Sequence, residues 1–423
     1  MEEILPSIRA IKGRYYLKKQ QYEKLRHIVV VGAGYGGITA VLRLAKKLRH
    51  QNEVQIHLVD KNSYHLLKTQ LHEAAVGKRE VAIPIEHLLR RRRILFHLEK
   101  VKSIDPDQQI IHFQKGHLAF DFLVLALGSK TNFYGIPGLK EHAFTLETLT
   151  DAQRIHEHIA RNCALAASEP ESKRRKNLLR FIVGGGGLTG VEVAAEFADL
   201  VVKCTIDYRV SLADAEIVLI EAGQHLVPHL GEALSAKISK ELSAKGVSIM
   251  SGTKVLALTA DAVTLSSNMT LETKTFVWTG GVHIADIFQD KKIKTGRLGR
   301  IRVDACLRAE NYPFIYAIGD NALAMNPETG QPVPTAAQFA LQQGRLVADN
   351  IYAYITGKSC KPYAPRVIGE VVSLGGHLAV GWMALPLLKK ITFVGFLGSL
   401  IKAAIQRKHI LLLRKESRNW SMR

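Results

Sequence analysis

A chain of 423 residues that is 47% hydrophobic is too long for one ordinary core and too apolar to be disordered, so two or three domains are expected. Its formal charge of +20 makes a polyanionic surface a candidate partner, either nucleic acid or anionic lipid. The basic residues form short clusters (Arg90–Arg93, Lys173–Lys176, Lys291–Lys294 and the C-terminal end), each of which also fits a solvated face. Cys163, Cys204, Cys306 and Cys360 show neither CxxC nor metal-ligand spacing, so no metal site is signalled and reduced, structurally ordinary thiols are expected. Residues 1–26 begin acidic, lack the apolar stretch of a secretory signal and are expected to be a basic extension.

The first readable unit starts with the apolar run His27–Val31, a buried-strand pattern. Gly32, Gly34 and Gly37 then fit G-x-G-x-x-G ahead of a helix-like run from Ile38 to about Leu48. The first glycine allows the turn, the second lets a pyrophosphate approach the backbone, and the third lets the helix pack on the strand. The helix N-terminus offers free N–H donors to phosphate. A second strand, Val54–Val59, ends in Asp60, a carboxylate placed to accept from ribose hydroxyls. Phe120–Ala126 reads as a further buried strand running into Gly128-Ser129.

Helical periodicity covers Leu149–Asn162, and Glu169–Lys176 reads as a loop. A second complete unit follows. The strand Phe181–Val183 leads to Gly185, Gly187 and Gly190, a helix from Val191 to about Val202, and the strand Glu216–Ile220 ending in Glu221. A carboxylate at that place accepts from a ribose 2′-OH and repels a 2′-phosphate, which favours NADH over NADPH. Glu192, in the first turn of this helix, fits an acid that complements the helix dipole. Two such units imply two dinucleotides or a duplication with one dead copy; every working part is present in both, which favours two ligands.

Ile315–Asp320 is a strand ending in Gly319-Asp320, where Asp320 is a turn residue or a ligand to a cofactor. Pro334–Gly344 opens a helix carrying Ala337, Gln338 and Gln342. Two amides one turn apart can grip a planar ligand with donors and acceptors, although exposed glutamines are commonly just solvated.

In this order, the two fingerprints, Thr189-Gly190-Val191-Glu192, the Gly-Asp strand end and Ala337-Gln338-Phe339-Ala340-Leu341-Gln342 resemble the type II NADH dehydrogenases, single-subunit NADH:quinone oxidoreductases of the FAD-dependent pyridine nucleotide-disulfide oxidoreductase superfamily. The resemblance covers residues 27 to 400. It implies that FAD is held by Gly32, Gly34, Gly37, Asp60, Gly128, Gly319, Asp320, Ala337 and Gln338. NADH is assigned to Gly185, Gly187, Gly190, Glu192 and Glu221. It also puts Gln338, Gln342 and Lys390 (with Lys389 as an equal candidate) where flavin meets quinone. Glu192 and Lys390 are candidates to relay the protons of quinone reduction.

From Leu374 the composition shifts. Leu378–Leu388 and Ile391–Ile401 are apolar runs split by Lys389-Lys390 and followed by Lys402, Arg407, Lys408, Arg414, Lys415, Arg418 and Arg423. Each is far short of the ~20 residues of a spanning helix. Both are expected to be helices lying in a membrane interface, drawn to anionic lipid.

The expected architecture is α/β with two Rossmann-like domains, the NADH domain inserted in the FAD domain, plus an amphipathic C-terminal segment. The boundaries are 1–26 extension, 27–148 and 284–370 FAD, 149–283 NADH, and 371–423 membrane. The expected activity is non-proton-pumping NADH:quinone oxidoreduction with FAD, at the cytoplasmic face of the cell membrane, by a peripheral protein that forms a homodimer and binds no nucleic acid or metal. A sulfide:quinone oxidoreductase using Cys163 and Cys360, a reductase of a soluble redox protein, and a non-enzymatic nucleotide-sensing membrane binder are the alternatives.

Overall fold

The structure is a computed structural model that describes residues 25–90, 92–284, 292–384 and 390–417. The N-terminal extension up to residue 24, Lys389 and the cations Arg418 and Arg423 lie outside the described residues. In chain order the elements that matter begin with β1 (Arg26–Val31), α1 (Tyr35–Lys47), β2 (Val54–Asp60), α2 (Leu71–Ala75), β3 (Ile94–Leu98) and β4 (Phe122–Leu125). There follow α3 (Leu149–Ser168), α4 (Ser172–Leu179), β5 (Arg180–Gly184), α5 (Leu188–Tyr208), β6 (Glu216–Ile220), α6 (Glu232–Ala244), β7 (Val247–Met250) and β8 (Thr275–Trp278). The chain ends with β9 (Arg308–Ala309), β10 (Tyr312–Ala317), α7 (Ala337–Ile355), β11 (Gly369–Ser373), β12 (Ala379–Met383), β13 (Ile391–Gly395) and α8 (Phe396–Ser417).

Two sheets carry the nucleotide motifs. The first has the order β9-β10-β4-β1-β2-β3, parallel except for β9, so strands from both ends of the sequence share one sheet. The second, β7-β6-β5-β8, is wholly parallel and is drawn from the stretch between them. Parallel strands covered on both faces must be apolar throughout, and β1, β4, β5 and β6 are buried along nearly their whole length.

Helix α3 starts at a capping box. Thr148 Oγ1 accepts from the Asp151 N–H, and the Asp151 carboxylate accepts from the Thr148 N–H. The stretch expected to be a loop at 169–176 is mostly α4. Arg175 accounts for this by bonding Asp214 at 2.6 Å and the Glu169 carbonyl at 3.0 Å, tertiary contacts that local composition does not reveal. Helices α1 and α7 cross so closely that a side chain on Gly344 would overlap the Gly36 carbonyl. The same pair is tied by Arg43 and Lys47 on Asp349, at 2.7 and 3.0 Å.

The C-terminal segment departs from expectation. In the first apolar run Ala379–Met383 form the strand β12, and residues 385–388 lie outside the described residues; the second run is β13 leading into α8, and β11-β12-β13 form an antiparallel sheet. Strand pairing wins because alternate residues of β12 are needed on two faces, with Ala379 and Val380 buried in the core. No helix among the described residues is long and apolar enough to cross a membrane.

The cysteines also depart from expectation. Cys163 of α3 is bonded to Cys204 of α5, and Cys306 to Cys360. Separations of 41 and 54 residues hide such pairs from any spacing rule. Cys163 and Cys360, considered together as a possible redox pair, are therefore each bonded elsewhere.

Candidate active site

The two glycine loops are built alike. Gly32 adopts φ +102° and Gly185 φ +109°, conformations that disfavour any side chain. A Cβ on Gly37 would overlap the Gly32 carbonyl, and one on Gly190 the Gly185 carbonyl. A Cβ on Gly34 or Gly187 would meet nothing within 4 Å, so each loop keeps an open concavity at the start of a helix whose first N–H groups have no side-chain cap. That is the donor set a pyrophosphate requires.

The acids close each unit in the same way. Asp60 accepts from the Ala33 N–H at 2.6 Å and the Asn62 N–H at 2.8 Å, while Glu221 accepts from the Gly186 N–H at 2.5 Å and the Gly223 N–H at 2.6 Å. Burial pushes the Asp60 carboxyl above its ordinary value, partly offset by those N–H donors. Each carboxylate keeps lone pairs for ribose hydroxyls, so the residues present fit a dinucleotide at each unit. Thr279, before Gly280, donates from a single hydroxyl within 3.0 Å of both the Gly184 and Gly185 carbonyls.

Around the end of β10, Asp320 accepts from Ser129 Oγ at 2.6 Å, Asn321 accepts from the Gly128 N–H at 2.9 Å, and buried Gln343 accepts from the Gly319 N–H at 2.6 Å. Gly128 and Gly319 both have positive φ. Asn321 and Gln343 carry no motif of their own, and only their places beside Asp320 and Gln342 point to them in the sequence. Ala337 begins α7, whose first turn has no side-chain cap.

The two glutamines do not stand free to grip a ligand with their whole amides. Gln338 donates to the Gly369 carbonyl at 3.3 Å and accepts from the Ile368 N–H at 3.1 Å. Gln342 donates to the Arg366 carbonyl at 2.8 Å and accepts from the Arg366 N–H at 2.9 Å. They zip the segment leading into β11 onto α7, leaving each amide one N–H and one lone pair for anything else.

Glu192 and Lys390 are not brought together. Lys390 lies over the Trp382 ring, 4.4 Å from its centroid. The cation at Glu192 is Lys402 of α8, whose ammonium donates to Oε1 at 2.8 Å. The Ser373 N–H of β11 donates to the same oxygen at 3.1 Å, and His72 Nδ1 of α2 stands 3.3 Å from Oε2. Burial works to raise the Glu192 carboxyl, but His72, Lys402 and the Ser373 N–H outweigh it and hold it below the usual carboxylate range. No spacing rule links a lysine to an acid 210 residues away.

A second contact of α8 reaches the first glycine loop. His409 packs against Tyr35 and His65, ring centroids 4.7 and 5.6 Å apart, while His65 Nδ1 lies 2.7 Å from the Ala33 carbonyl. Burial drives His65 down to about 4 and His409 to about 3, so both rings are neutral at neutral pH.

Residues 26–344 match the pyridine nucleotide-disulphide oxidoreductase family. The type II NADH:quinone oxidoreductase of Staphylococcus aureus is 32% identical over 362 residues, 84% of this chain and 89% of that protein. Among solved structures, NDH2 from Plasmodium falciparum in complex with NADH superposes with a TM-score of 0.82 at 20% identity, over 93% of this chain and 96% of that one. The sulfide:quinone oxidoreductase of Aquifex aeolicus superposes at 0.75 with 21% identity, over 92% of each chain. Matched in sequence along most of its length and carrying both nucleotide cradles, the chain belongs to the type II NADH:quinone oxidoreductases of the pyridine nucleotide-disulphide oxidoreductase family.

Proposed function

We infer that the protein is a FAD-dependent NADH:quinone oxidoreductase. The observation that carries this reading is the pair of matched cradles, each with an open glycine, an uncapped helix start and a carboxylate on the loop N–H. When bound, FAD accepts hydride from NADH and returns two electrons to a quinone.

The chain's own residues bind, orient and supply protons. Gly32, Gly34, Gly37 and Asp60 hold the FAD pyrophosphate and ribose, and Gly128, Gly319, Asp320 and Ala337 hold its remainder. The corresponding NADH set is Gly185, Gly187, Gly190 and Glu221. Glu192 lies between the nicotinamide and quinone sides. Lys402 keeps it ionised, and Gln338 and Gln342 fix β11, which presents Ser373 to it. In this reading residues 27–148 and 284–370 serve FAD, 149–283 NADH and 371–423 the membrane.

Peripheral attachment to an anionic lipid surface on the cytoplasmic face is part of the proposal, supported by the apolar outward side of α8. So is a homodimer, to be checked by light scattering. The sulfide:quinone reading is disfavoured because Cys163 and Cys360 are each committed to another cysteine. The purified protein should show flavin absorption that NADH bleaches and a quinone restores. A colourless protein, or a flavin that NADH leaves oxidised, would refute the reading.

A further inference from the structure

Reduction of a quinone by NADH (NADH + H⁺ + quinone giving NAD⁺ + quinol) takes one proton from solvent for every pair of electrons. Glu192 is 9% exposed and sits at the meeting of α2, α5, β11 and α8, so that proton needs a way in. His72, 3% exposed, is wedged beside it. Its two ring nitrogens face different ways: Nδ1 is 3.3 Å from Glu192, while Nε2 is 3.2 Å from the Lys402 ammonium and 3.7 Å from Glu73. Glu73 in turn is tied to half-exposed Arg79 at 3.2 Å and to Gln406 of α8 at 3.3 Å.

We propose that His72 relays the proton of quinone reduction, receiving it at Nε2 from the side where Lys402 and Glu73 stand and releasing it from Nδ1 to Glu192. This rests on the placing of Glu192 beside the quinone. An imidazole can take a proton at one nitrogen and release one from the other; here Nδ1 faces the Glu192 carboxylate and Nε2 faces the Lys402 ammonium with Glu73 behind it, and a ring flip or return of the proton resets the tautomer between turnovers. The groups facing it set its charge. Burial pushes the ring below its ordinary value, Glu192 of α5 and Glu73 of α2 pull it up, and Lys402 of α8 and Lys78, just after α2, push it down. From α3, His156 stands against Gly77 at the end of this segment. The net direction leaves the ring neutral at neutral pH, with one N–H and one lone pair, which is the state a relay needs.

The test uses the FAD-loaded full chain, with ubiquinone-1 as acceptor and a pH-indicator dye reporting proton uptake. In His72→Gln, stopped-flow should show flavin reoxidation slowed by at least about tenfold, with proton uptake delayed alongside it. Reduction by NADH should stay within about twofold, and a fall in reoxidation rate with rising pH should appear that the unsubstituted protein lacks. Glu73→Gln, nearer the surface, should show the same pH limb more weakly. Reoxidation and proton uptake at the unsubstituted rate and pH profile in His72→Gln would overturn the relay, as would equal slowing of both half-reactions. Should His72→Gln fail to retain flavin, Glu73→Gln decides alone, and an unchanged profile there overturns it. If the unsubstituted flavoprotein itself is not reoxidised by quinone, it is the assigned activity that fails.

Discussion

Glu192 and Glu221 are acids in similar sequence settings with opposite surroundings. Glu221 sits on two backbone N–H groups of the second glycine loop, and in the proposed function its charge repels a 2′-phosphate. Glu221→Gln keeps the size and removes the repulsion, so the ratio of kcat/KM for NADPH over NADH should rise about tenfold or more. An unchanged ratio would remove Glu221 from the ribose site. Glu192 is held by Lys402, and its carboxyl lies below the ordinary value. Its contribution to stability is therefore complete above the usual carboxylate range and lost as pH falls through the lower folded value. Lys402→Met strands the carboxylate in the interior at a cost of about 3 kcal/mol or more. It should also move the acid limb of the melting curve to higher pH. A melting profile unchanged by Lys402→Met would mean that the ion pair seen here is not maintained in solution. Such partners were beyond the reach of the sequence: Glu192 could be singled out by its place after Gly190, but Lys402 and His72 come from other ends of the chain.

At the scale of elements, what was legible was what is local. Each strand–loop–helix–strand–acid unit is encoded within a few dozen residues, and the structure forms both units with the glycines in the expected places. What was not legible depended on partners far along the chain. Glu169–Lys176 looks like a loop until Asp214 supplies a contact for Arg175. Two apolar runs look like interfacial helices until β11 offers an edge to pair with. The cysteines look unpaired until α3 lies against α5. Disulfides closing loops of this length stabilise by about 4 kcal/mol each in the chain-entropy account. The oxidised protein should therefore present no free thiol to a thiol reagent under denaturing conditions, and reductant should lower its melting temperature. Four titratable thiols in protein purified without reductant would show that the pairs do not form. The strap between Cys360 and β11 is also bonded by Gln342 to Arg366. Gln342→Ala, which loses two neutral hydrogen bonds, should slow flavin reoxidation by quinone several-fold, each bond being worth about 0.5–1.5 kcal/mol. Slowing of NADH reduction by the same factor would make the strap a general support rather than a quinone-side one.

Over the whole molecule, α8 joins the chemistry to a surface. One face turns inward with Lys402, Gln406, His409 and buried Leu413, at the spacing of successive turns. The opposite face carries Leu397, Leu400 and Leu411, 66, 50 and 58% exposed; Leu400 and Leu411 line a shallow groove with Ala403, Ala404, Arg407 and Lys408. Apolar side chains rimmed by cations suit an anionic bilayer surface: the leucines enter the acyl boundary and the cations meet the headgroups. Truncating the segment would be a poor test, because Lys402 and His409 would be lost with it. The triple variant Leu397→Gln, Leu400→Gln, Leu411→Gln changes only the outward face. At about 1–2 kcal/mol per leucine, affinity for phosphatidylglycerol vesicles should fall by about a hundredfold or more. Flavin content and reduction by NADH should stay as they were. For the unsubstituted protein, high salt should release part of the bound fraction by screening the cations, at about 1 kcal/mol each, and detergent should release all of it. Undiminished vesicle binding by the triple variant would place the attachment elsewhere in the chain. Loss of flavin in that variant would mean that the outward face of α8 is held against the protein rather than turned to lipid.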